Sequence, residues 1–156
     1  MKFEKFVKSL ASTGVIYERK NGDRWLASPS VFMLIPPTIR SVTAIGIQDM
    51  PEKIDGIISS ITSEPCELSR AIMPFPDSGI KDCIRVFSNQ AGDIKIPIGN
   101  PDFALIEKGD IKEISYQYAK DTSEPEPVAL MVRAWPTLAA DEPELVGLIF
   151  PVDYNI

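Results

Sequence analysis

Proline limits what this chain can fold into more than any other residue. There are fourteen in 156 residues, and nearly all close one apolar run or open the next. Inside a helix, proline removes a hydrogen bond and clashes with the preceding turn. Inside a central strand it removes a ladder bond. Long helices and long central strands are therefore excluded over most of the sequence. What fits between the prolines is a series of short strands.

The first proline is Pro29, and the stretch before it carries two local signals. Phe3, Phe6, Val7 and Leu10 recur at helical spacing, with Lys2, Glu4, Lys5 and Lys8 on the opposite side, which predicts an amphipathic helix. Ser12-Thr13-Gly14 closes it. Residues 15–28 hold two short runs joined by Asn21-Gly22, the strongest short-range hairpin signal. A two-residue turn would set Arg19 opposite Arg24, Glu18 opposite Trp25 and Tyr17 opposite Leu26. It would also put Val15, Tyr17, Arg19, Arg24, Leu26 and Ser28 on one face. Arg19, Lys20 and Arg24, flanked by Tyr17 and Trp25, then form a basic tip suited to phosphate or carboxylate.

Beyond the hairpin, residues 31–35 are continuously apolar and read as a central strand buried on both faces, completing a three-stranded meander. Residues 40–47 suggest another strand. Residues 49–61 suggest a short helix with Asp49 at the cap, Pro51 and Glu52 in the first turn, and a stripe of Ile54, Ile57, Ile58 and Ile61. From Cys66 on, strands are expected at 67–73, 82–87, 93–98, 128–135 and 145–152, and 111–118 is an ambiguous strand. The short segment 103–106 is ambiguous. The fold class is therefore α+β. It is dominated by seven to nine short antiparallel strands in one curled sheet or two packed sheets, with the N-terminal helix and a second short one. The length suits a single domain over residues 1–156.

Composition removes whole classes of chemistry. There is no histidine, so histidine-based nucleophile activation and histidine-ligated zinc are out. Two cysteines, Cys66 and Cys83, cannot complete a tetrahedral structural zinc site and read as buried free thiols. No phosphate-binding glycine loop, dinucleotide fingerprint or nucleophile elbow is present. No cofactor and no resident metal are expected. No apolar run is long enough to span a bilayer, and no leader pattern is visible, so a cytoplasmic location is expected. Residues 1–101 carry twelve basic against eleven acidic side chains. Residues 102–156 carry four against eleven, a net of −7. A broad nucleic-acid footprint would be basic, so the balance disfavours one. The acidic residues cluster in two segments, with Glu124 and Glu126 in one and Asp141, Glu142 and Glu144 in the other.

Two short resemblances bear on nucleic acid. Pro76-Asp77 followed by Asp93-Ile94-Lys95 resembles the PD-(D/E)xK nuclease pattern, and Pro101-Asp102 with Asp110-Ile111-Lys112 repeats it more tightly. The resemblance implies that Asp77 and Asp93 hold magnesium while Lys95 activates water. The run 146–152 resembles the last strand of DNA sliding-clamp domains, which implies a basic helix facing DNA, here with Lys2, Lys5 and Lys8.

The reading the residues support best is a small, non-enzymatic interaction protein of bacterial or phage accessory type, which binds another protein through an acidic or apolar face. The alternative is a nucleic-acid-handling protein, clamp-like or a magnesium nuclease. The binding residues expected are Arg19, Lys20, Arg24, Trp25, Glu124, Glu126, Asp141, Glu142 and Glu144.

Overall fold

The N-terminal apolar stripe forms helix α1 (Phe3–Leu10), whose Phe6 is buried. The helix stops because Ala11 and Ser12 both turn left-handed, with φ of 46° and 70°. The computed structural model describes residues 1–59 and 62–156. After α1 come β1 (Val15–Glu18), β2 (Arg24–Ala27), β3 (Val31–Leu34), β4 (Ile47–Asp49), α2 (Glu52–Ile58) and β5 (Ser63–Ile72). A 3₁₀ turn at Pro76–Ser78 leads to β6 (Ile84–Asn89), β7 (Lys95–Gly99) and α3 (Asn100–Phe103). The last strands are β8 (Ile111–Tyr118), β9 (Pro125–Ala134) and β10 (Glu144–Ile149).

These ten strands form one sheet in the order β4-β1-β2-β3-β10-β9-β8-β5-β6-β7. Every pairing is antiparallel except β1 with β4. The meander β1-β2-β3 forms as expected, and β3 sits centrally because its partner on the far side is β10, with Val31 opposite Ile149. Bulges between Leu68 and Arg70, between Ser115 and Tyr116, and between Leu145 and Gly147 interrupt the ladders. Such bulges add twist and bend a sheet. The sheet curls until its β7 edge meets the tail that follows the central strand β10. After β10 the chain donates Phe150 N–H to Ser30 O (2.8 Å) and Val152 N–H to Pro97 O on β7 (3.0 Å).

Both faces are covered. One carries Ile16, Leu26, Met33, Leu130 and Val132, and closes over Phe87, Ile96 and Ile98 from β6 and β7, with α1 packed on it. The other carries Trp25, Phe32, Met131 and Leu148 under Ile57 of α2. Each large side chain buried this way contributes about 1.5–3 kcal/mol. Met1 occupies the space a side chain would need at Gly147. Its amino group lies 2.8 Å from the buried Asp110 carboxylate, which also accepts the Glu107 N–H. Cys66 is buried and Cys83 only half-buried, and both are free thiols. Burial first, then the neighbouring Glu67, pushes the Cys66 thiol up to about 12.

Three expectations are corrected and one ambiguous segment is settled. The hairpin turn is three residues long, not two. Gly22 N–H bonds Arg19 O and Arg19 N–H bonds Asp23 O, so Lys20, Asn21 and Gly22 form the loop. Gly22 alone takes a positive φ, of 93°, whereas a type I′ turn would need one at Asn21 too. Asn21 instead uses its side-chain oxygen to accept the Asp23 N–H. The register becomes Val15↔Ala27, Ile16↔Leu26, Tyr17↔Trp25 and Glu18↔Arg24. One step of register exchanges the faces. Tyr17 therefore joins Trp25 on the α2 side, while Ile16 joins Leu26 on the other.

Of residues 40–47, only Ile47 enters a strand, at the edge. The chain there meets the start of β1 through Ile45 N–H to Gly14 O and Ile16 N–H to Gly46 O. The expected helix over 49–61 is shorter, because Asp49 belongs to β4 and Pro51 is the N-cap. Ser60 and Ile61 lie outside the described residues. Finally, residues 103–106 continue from α3 through turns, with Ala104 N–H on Asn100 O and Leu105 N–H on Asp102 O.

Candidate functional site

The basic tip is tied down by carboxylates. Arg19 donates through Nε to Asp55 Oδ1 on α2 at 2.6 Å, and Arg24 to Glu18 Oε2 at 2.8 Å. Lys20 remains exposed at the turn. Trp25 is only 1% exposed, and its Nε1–H has no hydrogen-bond partner among the described residues. The one-step register difference brings each arginine to an acid instead of to the other arginine.

The three residues of the nuclease pattern are not brought together. Asp77 lies in the 3₁₀ turn before β6 and Asp93 in the turn after it. The six residues of β6 span about 20 Å at the usual rise per residue. Asp93 Oδ1 instead accepts from Asn89 Nδ2 (2.7 Å), which also donates to Glu64 Oε2 (2.6 Å). The Asn89 side-chain oxygen takes the N–H groups of Gly92 and Ile94, so this buried asparagine organises the β6–β7 turn. Lys95 starts β7 opposite Ser88 and is exposed. In the tighter repeat of the pattern, Asp110 is held by Met1 as above. Among the described residues, no group of three acidic or cysteine side chains could hold a metal ion. Also among them, no helix is long and apolar enough to cross a membrane.

The two acidic segments lie at opposite ends of one strand. Glu124 and Glu126 sit where β9 begins, and Asp141, Glu142 and Glu144 follow the loop where it ends. Ten residues of β9 hold them about 30 Å apart. All five carboxylate residues are exposed. The far loop also exposes Trp135 and Leu138.

The near end of β9 carries an open concavity. β5 begins at Ser63, opposite Ser115, and β10 ends at Ile149, opposite Leu130. The β8–β9 hairpin continues past both as a two-stranded ribbon, pairing Tyr116↔Pro127, Gln117↔Glu126 and Tyr118↔Pro125. Between this ribbon and α2 lies an open cleft of about 670 Å³, lined by Lys53, Gly56 and Ile57 of α2, by Thr62, and by residues of the ribbon. Tyr116 and Tyr118 stack edge to face, with ring centroids 5.9 Å apart, and Tyr118 is 60% exposed. Partial desolvation, then Tyr118 and the negative charge of Glu64, raise the Tyr116 phenol above its ordinary range.

The residues Tyr116, Gln117, Tyr118, Lys53 and Gly56 were not singled out by sequence reasoning. A signal was present in Tyr-x-Tyr facing Pro-x-Pro across a turn, but both halves look like ordinary strand and loop. The cleft can hold a chain segment beside Tyr118; Lys53 is the one charged residue among its described lining, and Glu124 and Glu126 stand further out, where β9 begins. Comparison with protein-family models, with curated proteins and with solved structures finds no match for this chain.

Proposed function

We propose that this is a non-enzymatic, cytoplasmic interaction protein that receives another protein at the β8–β9 ribbon. The observation that carries the reading is the edge-to-face pair of half-buried Tyr116 and exposed Tyr118 beside the open cleft, on a hairpin whose turn is acidic. Tyrosine is among the residues enriched at protein interfaces, because it offers a large rigid face and a polar tip. The carboxylates of Glu124 and Glu126 would steer a basic partner to it. The two arginines of the hairpin tip are already paired, which weakens the case for a phosphate-binding finger.

The test is affinity capture from the native host with the intact protein and with Glu124→Lys/Glu126→Lys, read by quantitative mass spectrometry. Partners should fall at least tenfold in the variant. Capture that depends instead on Trp135 and Leu138 would move the interface to the other end of β9. Binding to duplex DNA that weakens steeply with salt and disappears in Arg19→Ala/Arg24→Ala would overturn the reading in favour of nucleic acid.

A further inference from the structure

The loop between β9 and β10 holds its apolar side chains out of the fold. Ala134 pairs with Glu144, so residues 135–143 leave and return at one place on the sheet, the form of a compact surface loop. Pro136 and Pro143 restrict the backbone near the two bases of that loop. Between them Ala140 N–H bonds Thr137 O at 3.3 Å, a turn with Leu138 and Ala139 at its apex. Trp135 is 49% exposed and Leu138 fully exposed. Neither belongs to the two buried clusters that make up the core. A single exposed leucine is ordinary. Here it tops a tied turn three residues from an exposed tryptophan, a side chain enriched among the residues that dominate interface energetics.

Charge selects what this tip can meet. From Trp135 to Glu144 the chain carries Asp141, Glu142 and Glu144 and no Lys or Arg. All three are exposed, and none enters an ion pair among the described residues. The neighbouring segments do not offset them. On the β3 side the ladder leads to residues 35–39, which carry no charge. On the β8 side the register that sets Ile111 opposite Arg133 leads to the turn before β8, where Glu107 and Lys108 cancel. Arg133 itself is held by Glu113 at 3.1 Å, and Asp110 by the Met1 amino group.

We propose that residues 135–144 dock as a preformed knob into an apolar pocket rimmed by Lys or Arg on another protein. Trp135 and Leu138 are the anchors, and Asp141, Glu142 and Glu144 face the basic rim. This surface lies at the opposite end of β9 from the ribbon and does not depend on the ribbon's being an interface. A loop already closed by a turn and flanked by prolines loses little freedom on docking, so more of the contact energy appears as affinity. The carboxylates speed encounter with a basic surface and reject an acidic one. They also disfavour an anionic bilayer, the other surface that takes up tryptophan and leucine.

The test places p-benzoylphenylalanine at Ala139 in the full chain, irradiates the native host and maps the cross-link by mass spectrometry. One protein should dominate, joined at a site whose surroundings carry Lys or Arg. The yield should fall roughly tenfold in Trp135→Ala and in Leu138→Asn, fall severalfold in Asp141→Lys/Glu142→Lys, and hold in Glu124→Lys/Glu126→Lys. Leu138 is fully exposed, so Leu138→Asn should melt with the parent, which separates lost docking from lost folding. A yield no greater than that from the same probe at the exposed Gln90, or one indifferent to Leu138→Asn, would overturn the site. A yield lost in Leu138→Asn but kept on acid reversal would overturn the basic rim. Cross-linking to a second copy of the chain, or binding to phosphatidylglycerol vesicles that Trp135→Ala abolishes, would overturn the proposal in favour of self-association or a membrane. An equal loss in Glu124→Lys/Glu126→Lys would overturn the separation of the two ends of β9.

Discussion

Two carboxylates beside α3 respond to their surroundings in opposite directions. Asp82 is exposed, and the Asn100 side-chain amide, then the Cys83 N–H, hold it below the usual carboxylate range. Asp102 is partly buried, and desolvation raises it, partly offset by a hydrogen bond from Ser30. A raised carboxyl means that the folded state holds the proton more tightly than the unfolded chain. The stability contributed by Asp102 is then fully present below the unfolded carboxylate pKa and is lost as pH rises through the raised value. Asp102→Asn keeps an acceptor for Ser30 and removes the charge. The variant should melt a few degrees above the parent at neutral pH, with the gap closing near about pH 3, where both states of the parent are largely protonated. Thermal unfolding by circular dichroism at the two pH values checks this. A gap that persisted in acid, or a less stable variant at neutral pH, would show that burial of the charge is not what raises the group.

At the scale of elements, the first hairpin shows how much was legible and where legibility ended. Asn21-Gly22 located the turn correctly, and the run 31–35 located the central strand. The register was one residue out because two- and three-residue loops share the same letters and differ only in the backbone state of Asn21. That state is set by a side-chain bond to Asp23, a choice no hydrophobic pattern records. Gly22, with its φ of 93°, should cost about 1–2 kcal/mol when changed to Ala. Asn21→Ala should cost clearly less, since Asn21 does not adopt a left-handed backbone. Urea unfolding of both variants decides it, and equal costs would restore the two-residue turn. The β8–β9 ribbon was hidden for a related reason. Prolines read as strand terminators, yet Pro125 and Pro127 lie within β9, where their missing N–H groups face no partner. The acidic segments were visible as charge, but only the pairing of β9 with both neighbours shows that they lie at opposite ends.

For the whole molecule, the sequence pattern yielded an α+β domain of antiparallel strands but not their order in space, because any apolar strand can pair with any other. That order joins β3 to β10 and joins the tail after β10 to β7. A chain made in order completes the first meander early, yet the apolar β3 gains its outer neighbour only after β10 has emerged. Until then it is an unpaired edge open to adventitious pairing. Loop closure over such separations is slow, and refolding should fall in the roughly millisecond-to-second range of strand-dominated domains. In pulsed hydrogen exchange, the amides of the β6–β7 and β8–β9 hairpins should gain protection first. Those joining β3 to β10 should follow together and later. Protection of the β3–β10 amides in the earliest phase would show that the two halves of the sheet meet before their own hairpins have formed. If they are the last to appear, the vulnerable interval in the life of this protein is the time between the synthesis of Val31 and that of Ile149.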